Sequence, residues 1–96
     1  MQYFHRSHAA PDDVVALAAH HFGARLTPAV EAPRRRRYSG SLGTVTVTVR
    51  AEGGHYTLVT VATDQPGESE LDKLAKRFLG EVHRLDHPDH ELRGAY

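Results

Sequence analysis

The feature that most constrains the fold is a strict alternation of valine with polar residues near the middle of the chain. Residues 43–50 read Gly-Thr-Val-Thr-Val-Thr-Val-Arg, and residues 55–63 form a second segment rich in β-branched side chains. Because successive side chains of a strand point to opposite faces, both segments are predicted to be half-buried strands. The segment Glu52-Gly53-Gly54 between them has the length and glycine content of a hairpin loop. The register that buries one apolar face brings together Val45, Val47, Val49, Val59 and Val61.

Amphipathic helices are predicted on either side of this hairpin. The first begins at Pro11, and Asp12 and Asp13 suit the positive end of a helix dipole. Its apolar stripe consists of Val14, Val15, Ala18, Phe22 and Leu26. The second helix follows Pro66-Gly67 and ends before Pro88, with an apolar stripe of Leu71, Leu74, Ala75, Phe78, Leu79, Val82 and Leu85. Ser69 and Asp72 have capping-box spacing, and Asp72 is also predicted to pair with Lys76 on the polar side.

The remaining segments complete a prediction of fold class. Residues 2–6 suit an edge strand, 34–39 a third strand and 29–33 a linker. The order (β)-α-β-β-β-α predicts a two-layer α+β fold, with an antiparallel sheet of three to five strands and two helices on one face. We interpret residues 1–96 as one domain, with an N-terminal segment at 1–10 and a C-terminal tail at 88–96.

Composition excludes several classes of function. The chain has no cysteine, which excludes disulfides, zinc–thiolate sites and iron–sulfur clusters. It has neither a membrane-length apolar run nor the apolar stretch of a secretory signal, so we predict a cytoplasmic protein without membrane contact. Nucleophile-elbow and phosphate-loop motifs are also missing. These observations favour a non-catalytic binding module without a cofactor over an enzyme.

The second face of the predicted sheet is the first candidate site. It alternates with the buried valines and mixes threonines with larger apolar groups, too apolar for open water and too polar for a second core. The interface candidates are Thr46, Thr48, Tyr56 and Leu58. A homodimer formed through this face, or through an edge strand, is the predicted assembly.

Nucleic-acid binding is an alternative that depends on the run Arg34-Arg35-Arg36-Arg37 and the adjacent Tyr38. Arginines contact phosphates, and an aromatic ring on a sheet stacks on a base. The formal net charge of zero disfavours this alternative, and strand alternation would divide the four arginines between two faces.

Two further alternatives involve histidines, of which the chain has eight. A small-molecule-binding domain or minor enzyme would place a pocket between helices and sheet, with candidates His21, Tyr38 and Asp64. His83 and His87 are one helical turn apart, the spacing of two metal ligands, although the Glu of an H-E-x-x-H motif is missing and an exposed pair is a weak site.

Overall fold

The fold is a five-stranded antiparallel sheet with two helices on one face. The structure, a computed structural model, describes residues 1–86. The elements are β1 (Gln2–Ser7), α1 (Pro11–Gly23), β2 (Thr27–Ala32), β3 (Arg35–Gly40), β4 (Gly43–Glu52), β5 (Tyr56–Thr63) and α2 (Glu70–Asp86). The strands lie in the order β1-β5-β4-β3-β2, and every neighbouring pair is antiparallel. The α+β class and the five strands confirm the sequence prediction. Neither of the described helices is long and apolar enough to cross a membrane.

The shared valine face predicted for the central hairpin is confirmed. Val47 lies opposite Val61 and Val49 opposite Val59, so the valines share one face. That face meets the apolar stripes of both helices in a single buried cluster. Phe22 of α1 and Phe78 of α2 touch at its centre, with ring centroids 5.1 Å apart. Hydrophobic burial of this one face therefore fixes where both helices lie.

The hairpin loop lies one residue later than predicted. It contains Gly53, Gly54 and His55, and the His55 amide donates to the Glu52 carbonyl at 3.1 Å. Both glycines have positive φ, +60° and +76°, a conformation that side chains disfavour. The loop keeps the predicted length of three residues, so the displacement moves each cross-strand partner by two residues and leaves the valines of both strands on one face.

Strand β2 was predicted to be part of a linker, and that prediction is wrong. Residues 27–32 pair with β3 along the outer edge of the sheet. Only Val30 is partly buried, so the segment carries no apolar periodicity. Pro28 is tolerated because an edge strand leaves one row of amides unpaired, and the pairing shifts between Pro28 and Val30. Residues 27–32 form a strand because their backbone pairs with β3, an interaction that local sequence patterns do not reveal.

Helix α2 has only half of the predicted capping box, because the Ser69 amide donates to the Pro66 carbonyl oxygen at 3.3 Å rather than to the Asp72 carboxylate. The Asp72 amide donates to Ser69 Oγ at 3.1 Å. The outward-facing residues of α2 also differ from the prediction. Asp72 itself is fully buried, so its predicted pairing with Lys76 on the polar side is wrong; Lys76 Nζ lies 3.5 Å from a Glu68 carboxylate oxygen instead. Leu85 is 44% exposed and lies outside the core. Pro88 lies outside the described residues.

Substitutions at two apolar residues of α2 test the orientation of this helix. Phe78→Ala should lower the free energy of unfolding by roughly 3–5 kcal/mol, because it removes a fully buried ring from the aromatic contact with Phe22. Leu85→Ala on the exposed side is the matched control and should cost less than about 1 kcal/mol. Urea unfolding measures both. Equal losses at the two positions would contradict the helix orientation described here.

Candidate functional site

The face of the sheet opposite the helices is the candidate functional site. Among residues 1–86, both helices pack on the valine face, and no element covers the other face. We call it the open face. Strand register assigns to it Gln2, Phe4, Arg6, Arg35, Arg37, Thr44, Thr46, Thr48, Arg50, Glu52, Tyr56, Leu58, Thr60 and Ala62.

The open face is basic although the chain as a whole is neutral. Arg6 comes from β1, Arg50 from β4, and Arg35 and Arg37 from β3. Two carboxylates oppose these four charges, Glu52 within the face and Asp64 at its rim. The positive charge is invisible in the net charge because acidic residues elsewhere compensate for it.

The individual arginines differ in how strongly the protein holds them. Arg50 donates to Glu52 Oε1 at 3.1 Å, and Arg37 Nε donates to Thr46 Oγ1 at 3.3 Å. The Arg6 guanidinium lies 5.3 Å from the centroid of the Tyr56 ring. Arg35 is exposed and forms no ion pair with any residue of the described chain. The face therefore has one unengaged guanidinium and three that its own side chains orient.

The same face combines an exposed aromatic ring with two shallow concavities. Phe4 is 60% exposed, the largest exposed fraction among the large apolar side chains of residues 1–86. It borders a concavity of about 200 Å³ together with Gln2, Thr48, Arg50, Leu58 and Thr60. A second concavity of about 220 Å³ is lined by Arg37, Thr44, Thr46, Ala62, Thr63 and Asp64. The surface thus offers apolar contact, hydroxyl groups and positive charge side by side.

A buried carboxylate anchors β1, the strand that carries Phe4. Asp72 of α2 accepts hydrogen bonds from the Tyr3 hydroxyl, from Thr63 Oγ1 at 2.6 Å and from Ser69 Oγ at 3.0 Å. Tyr3 and Thr63 belong to the two adjacent strands β1 and β5. Because Tyr3 points toward the helices, its neighbour Phe4 must point to the open face. The network therefore fixes which side chains of β1 reach the candidate site.

The electrostatics of this network mark it as structural. Burial by itself raises the pKa of the Asp72 carboxyl, but the bonds from Thr63, Tyr3 and Ser69 outweigh burial and hold that pKa below its ordinary value. The bond to Asp72 raises the pKa of Tyr3 to about 12. At neutral pH the carboxylate is ionised and the phenol protonated. Neither group has a pKa near neutrality, where general acid–base catalysis is most efficient.

The structure places the four interface candidates together. Thr46, Thr48, Tyr56 and Leu58 all lie on the open face. Sequence reasoning missed Phe4 and Arg6 as members of the same surface. The alternation of residues 2–7 places Phe4 and Arg6 on the same face of a strand. Which face of the sheet this is becomes clear only once β1 is known to pair with β5.

The four consecutive arginines are divided between the two faces, as strand alternation predicts. Arg35 and Arg37 lie on the open face, opposite Thr48 and Thr46. Arg36 lies on the helix side, and Arg34 precedes β3 and pairs with Asp12. Tyr38 is buried, with its ring 5.8 Å from that of Phe22, so it is not available to stack on a base. The run contributes two arginines to the open face rather than four.

The three pocket candidates lie in different parts of the described fold. The His21 ring packs on Phe22, and its Nε2 lies 3.0 Å from the Leu74 carbonyl oxygen. Tyr38 lies in the core against the same phenylalanine, and burial raises the pKa of its phenol. Asp64 is exposed at the rim of the open face, where it accepts from the Thr44 amide at 2.9 Å. Tyr38 thus lies in the core and the half-buried His21 packs against it, and both are separate from Asp64.

Of the two histidines in the metal candidate, only His83 lies within the described residues. His83 packs edge-on against His5, with ring centroids 6.0 Å apart. His87 lies outside the described residues. Within residues 1–86 no three histidine or carboxylate side chains are grouped as a metal site would require.

A larger concavity, of about 420 Å³, lies between α1 and the β2–β3 hairpin. Its charged lining residues, Asp12, Glu31 and Arg36, are already near opposite charges. Arg34 pairs with Asp12, and Arg36 Nη1 lies 4.0 Å from Glu31 Oε1. Because these charges compensate one another, the cleft presents no net charge to a ligand, unlike the open face.

Comparison of the chain with protein-family models, with curated proteins and with solved structures found no match.

The buried carboxylate predicts a pH dependence of stability. Folding lowers the Asp72 pKa, so its ionised form stabilises the folded state above the ordinary value of 3.8, and this contribution is lost as pH falls through the lower folded value. Asp72→Asn should therefore be less stable than wild type at about pH 7 and 5, with a difference that shrinks toward about pH 3. Urea unfolding of both proteins measures the difference. A constant difference across this range would contradict the ionised hydrogen-bonded network.

Proposed function

We propose that the protein is a non-catalytic binding module that holds an anionic macromolecule on the open face. The observation that carries the proposal is the gathering of four arginines from three strands on a surface that no described residue covers. Arginine forms paired hydrogen bonds with phosphate and carboxylate groups, and it is more weakly hydrated than lysine. The surface therefore has the chemistry to recognise negative charge.

Pre-organisation supports the proposal. Thr46 and Glu52 hold the Arg37 and Arg50 side chains through hydrogen bonds, and Tyr56 lies beneath Arg6. An arginine that is already oriented loses less side-chain entropy on binding, a cost of roughly 0.5–1.5 kcal/mol for each mobile side chain. The strands beneath pack on the buried core, so the Cα atoms of the four arginines hold a constant spacing.

The charge of the face favours an anionic partner over a second copy of the chain. A symmetric face-to-face dimer would set four arginines of one subunit against four of the other. Glu52 already pairs with Arg50, which leaves Asp64 at the rim as the remaining carboxylate. Juxtaposed like charges oppose association. The homodimer anticipated from the sequence is therefore a weaker proposal for this face.

Retention on a heparin column at increasing salt tests the proposal. Arg35→Glu/Arg37→Glu should elute at clearly lower salt than wild type, since it removes two of the four positive charges from the open face. The matched control is Lys73→Glu/Arg77→Glu, which makes the same change in net charge at two exposed positions of α2. Circular dichroism confirms that both variants are folded.

The proposal fails if the two variants elute together, because retention would then follow net charge rather than the open face. Light scattering of the wild type tests the alternative, a homodimer formed through the open face. A dimer that Leu58→Glu converts to a folded monomer would assign this face to self-association instead.

A further inference from the structure

We propose that the anionic partner is single-stranded RNA, an inference that rests on the proposed function. The charge alone would suit any polyanion. Three other features of the open face narrow the choice: the exposed ring of Phe4, the threonine hydroxyls at the centre of the face and the positions of the arginines around them.

Phe4 provides a stacking platform. Phe4 is 60% exposed on β1, an outer strand of the sheet, and it borders the concavity that Leu58 and Thr60 help to line. Unpaired bases stack on exposed aromatic side chains of sheet proteins, whereas bases within a duplex are stacked on one another and inaccessible. An acidic protein segment would gain no comparable stacking contact. The exposed ring therefore favours a single-stranded nucleic acid.

Arg35 and Arg37 lie at distances from Phe4 that suit a single strand of nucleic acid crossing the sheet. Phe4, Thr60, Thr48 and Arg35 form one row across β1, β5, β4 and β3. With neighbouring strands about 4.8 Å apart, Phe4 and Arg35 are separated by roughly 14 Å. Arg35 and Arg37 are about 7 Å apart along β3. When one base stacks on Phe4, the phosphates of the following nucleotides can thus reach the guanidinium groups of Arg35 and Arg37.

Hydroxyl groups between the ring and the arginines favour RNA over DNA. Thr48 and Thr60 lie opposite each other in the middle of that row. Neither hydroxyl has a hydrogen-bond partner among residues 1–86. The ribose 2′-hydroxyl is both donor and acceptor, and it complements a threonine hydroxyl. A deoxyribose at the same place would leave these groups without a partner from the ligand.

Fluorescence anisotropy with a labelled oligouridylate of about 12 nucleotides tests the inference. Wild type should bind with an affinity that falls with salt, with a log–log slope of about −3 if all four arginines contact phosphates. Phe4→Leu should weaken binding about 10-fold, since it keeps an apolar side chain but loses the stacking ring. Phe4→Tyr keeps the ring and should bind like wild type. Because Phe4 is exposed, both variants should fold.

Competition with the matched oligodeoxyuridylate and with duplex RNA completes the test. We expect the DNA to compete less well than the RNA and the duplex to compete least. Equal competition by DNA would overturn the assignment to RNA. Heparin retention that depends on Arg35 and Arg37, together with RNA binding that is indifferent to Phe4→Leu, would overturn this inference and leave the proposed function standing. No retention of the wild type on heparin would overturn both.

Discussion

The valine register between β4 and β5 is the constraint on which the rest of the structure depends. Val47 opposite Val61 and Val49 opposite Val59 make one face of the sheet apolar. A slip of one residue would turn these side chains to the other face. Since both amphipathic helices must bury their stripes, both lie on that face. The open face, with its arginines and threonines, is the direct consequence of this one-sided packing.

The two outer strands are held by different means, and the difference bears on the site. Strand β2 pairs with β3 but buries little, so backbone hydrogen bonds dominate its attachment. Strand β1 pairs with β5 and is also fastened to α2 through Tyr3 and Asp72. The helix layer therefore determines the orientation of β1, although Phe4 and Arg6 lie on the opposite side of the sheet.

Local patterns in the sequence predicted the elements whose side chains repeat with a helical or strand period. The valine hairpin and both helices are of this kind. Asp72 was misassigned to the polar side because its partner Tyr3 is 69 residues away along the chain, and only tertiary structure reveals that bond. The basic character of the open face was hidden for a similar reason. Arg6 joins Arg35, Arg37 and Arg50 only once β1 is placed beside β5.

The proposed binding surface is the open face, rather than the helix layer or the α1 cleft. Amide chemical shifts in a ¹⁵N–¹H correlation spectrum, followed during titration with oligouridylate, test it most directly. We predict that the perturbed amides cluster in β1, β3, β4 and β5, with the largest changes near Phe4, Thr48, Thr60 and Arg35. Perturbations concentrated in α1 and α2, with those four positions unchanged, would contradict it.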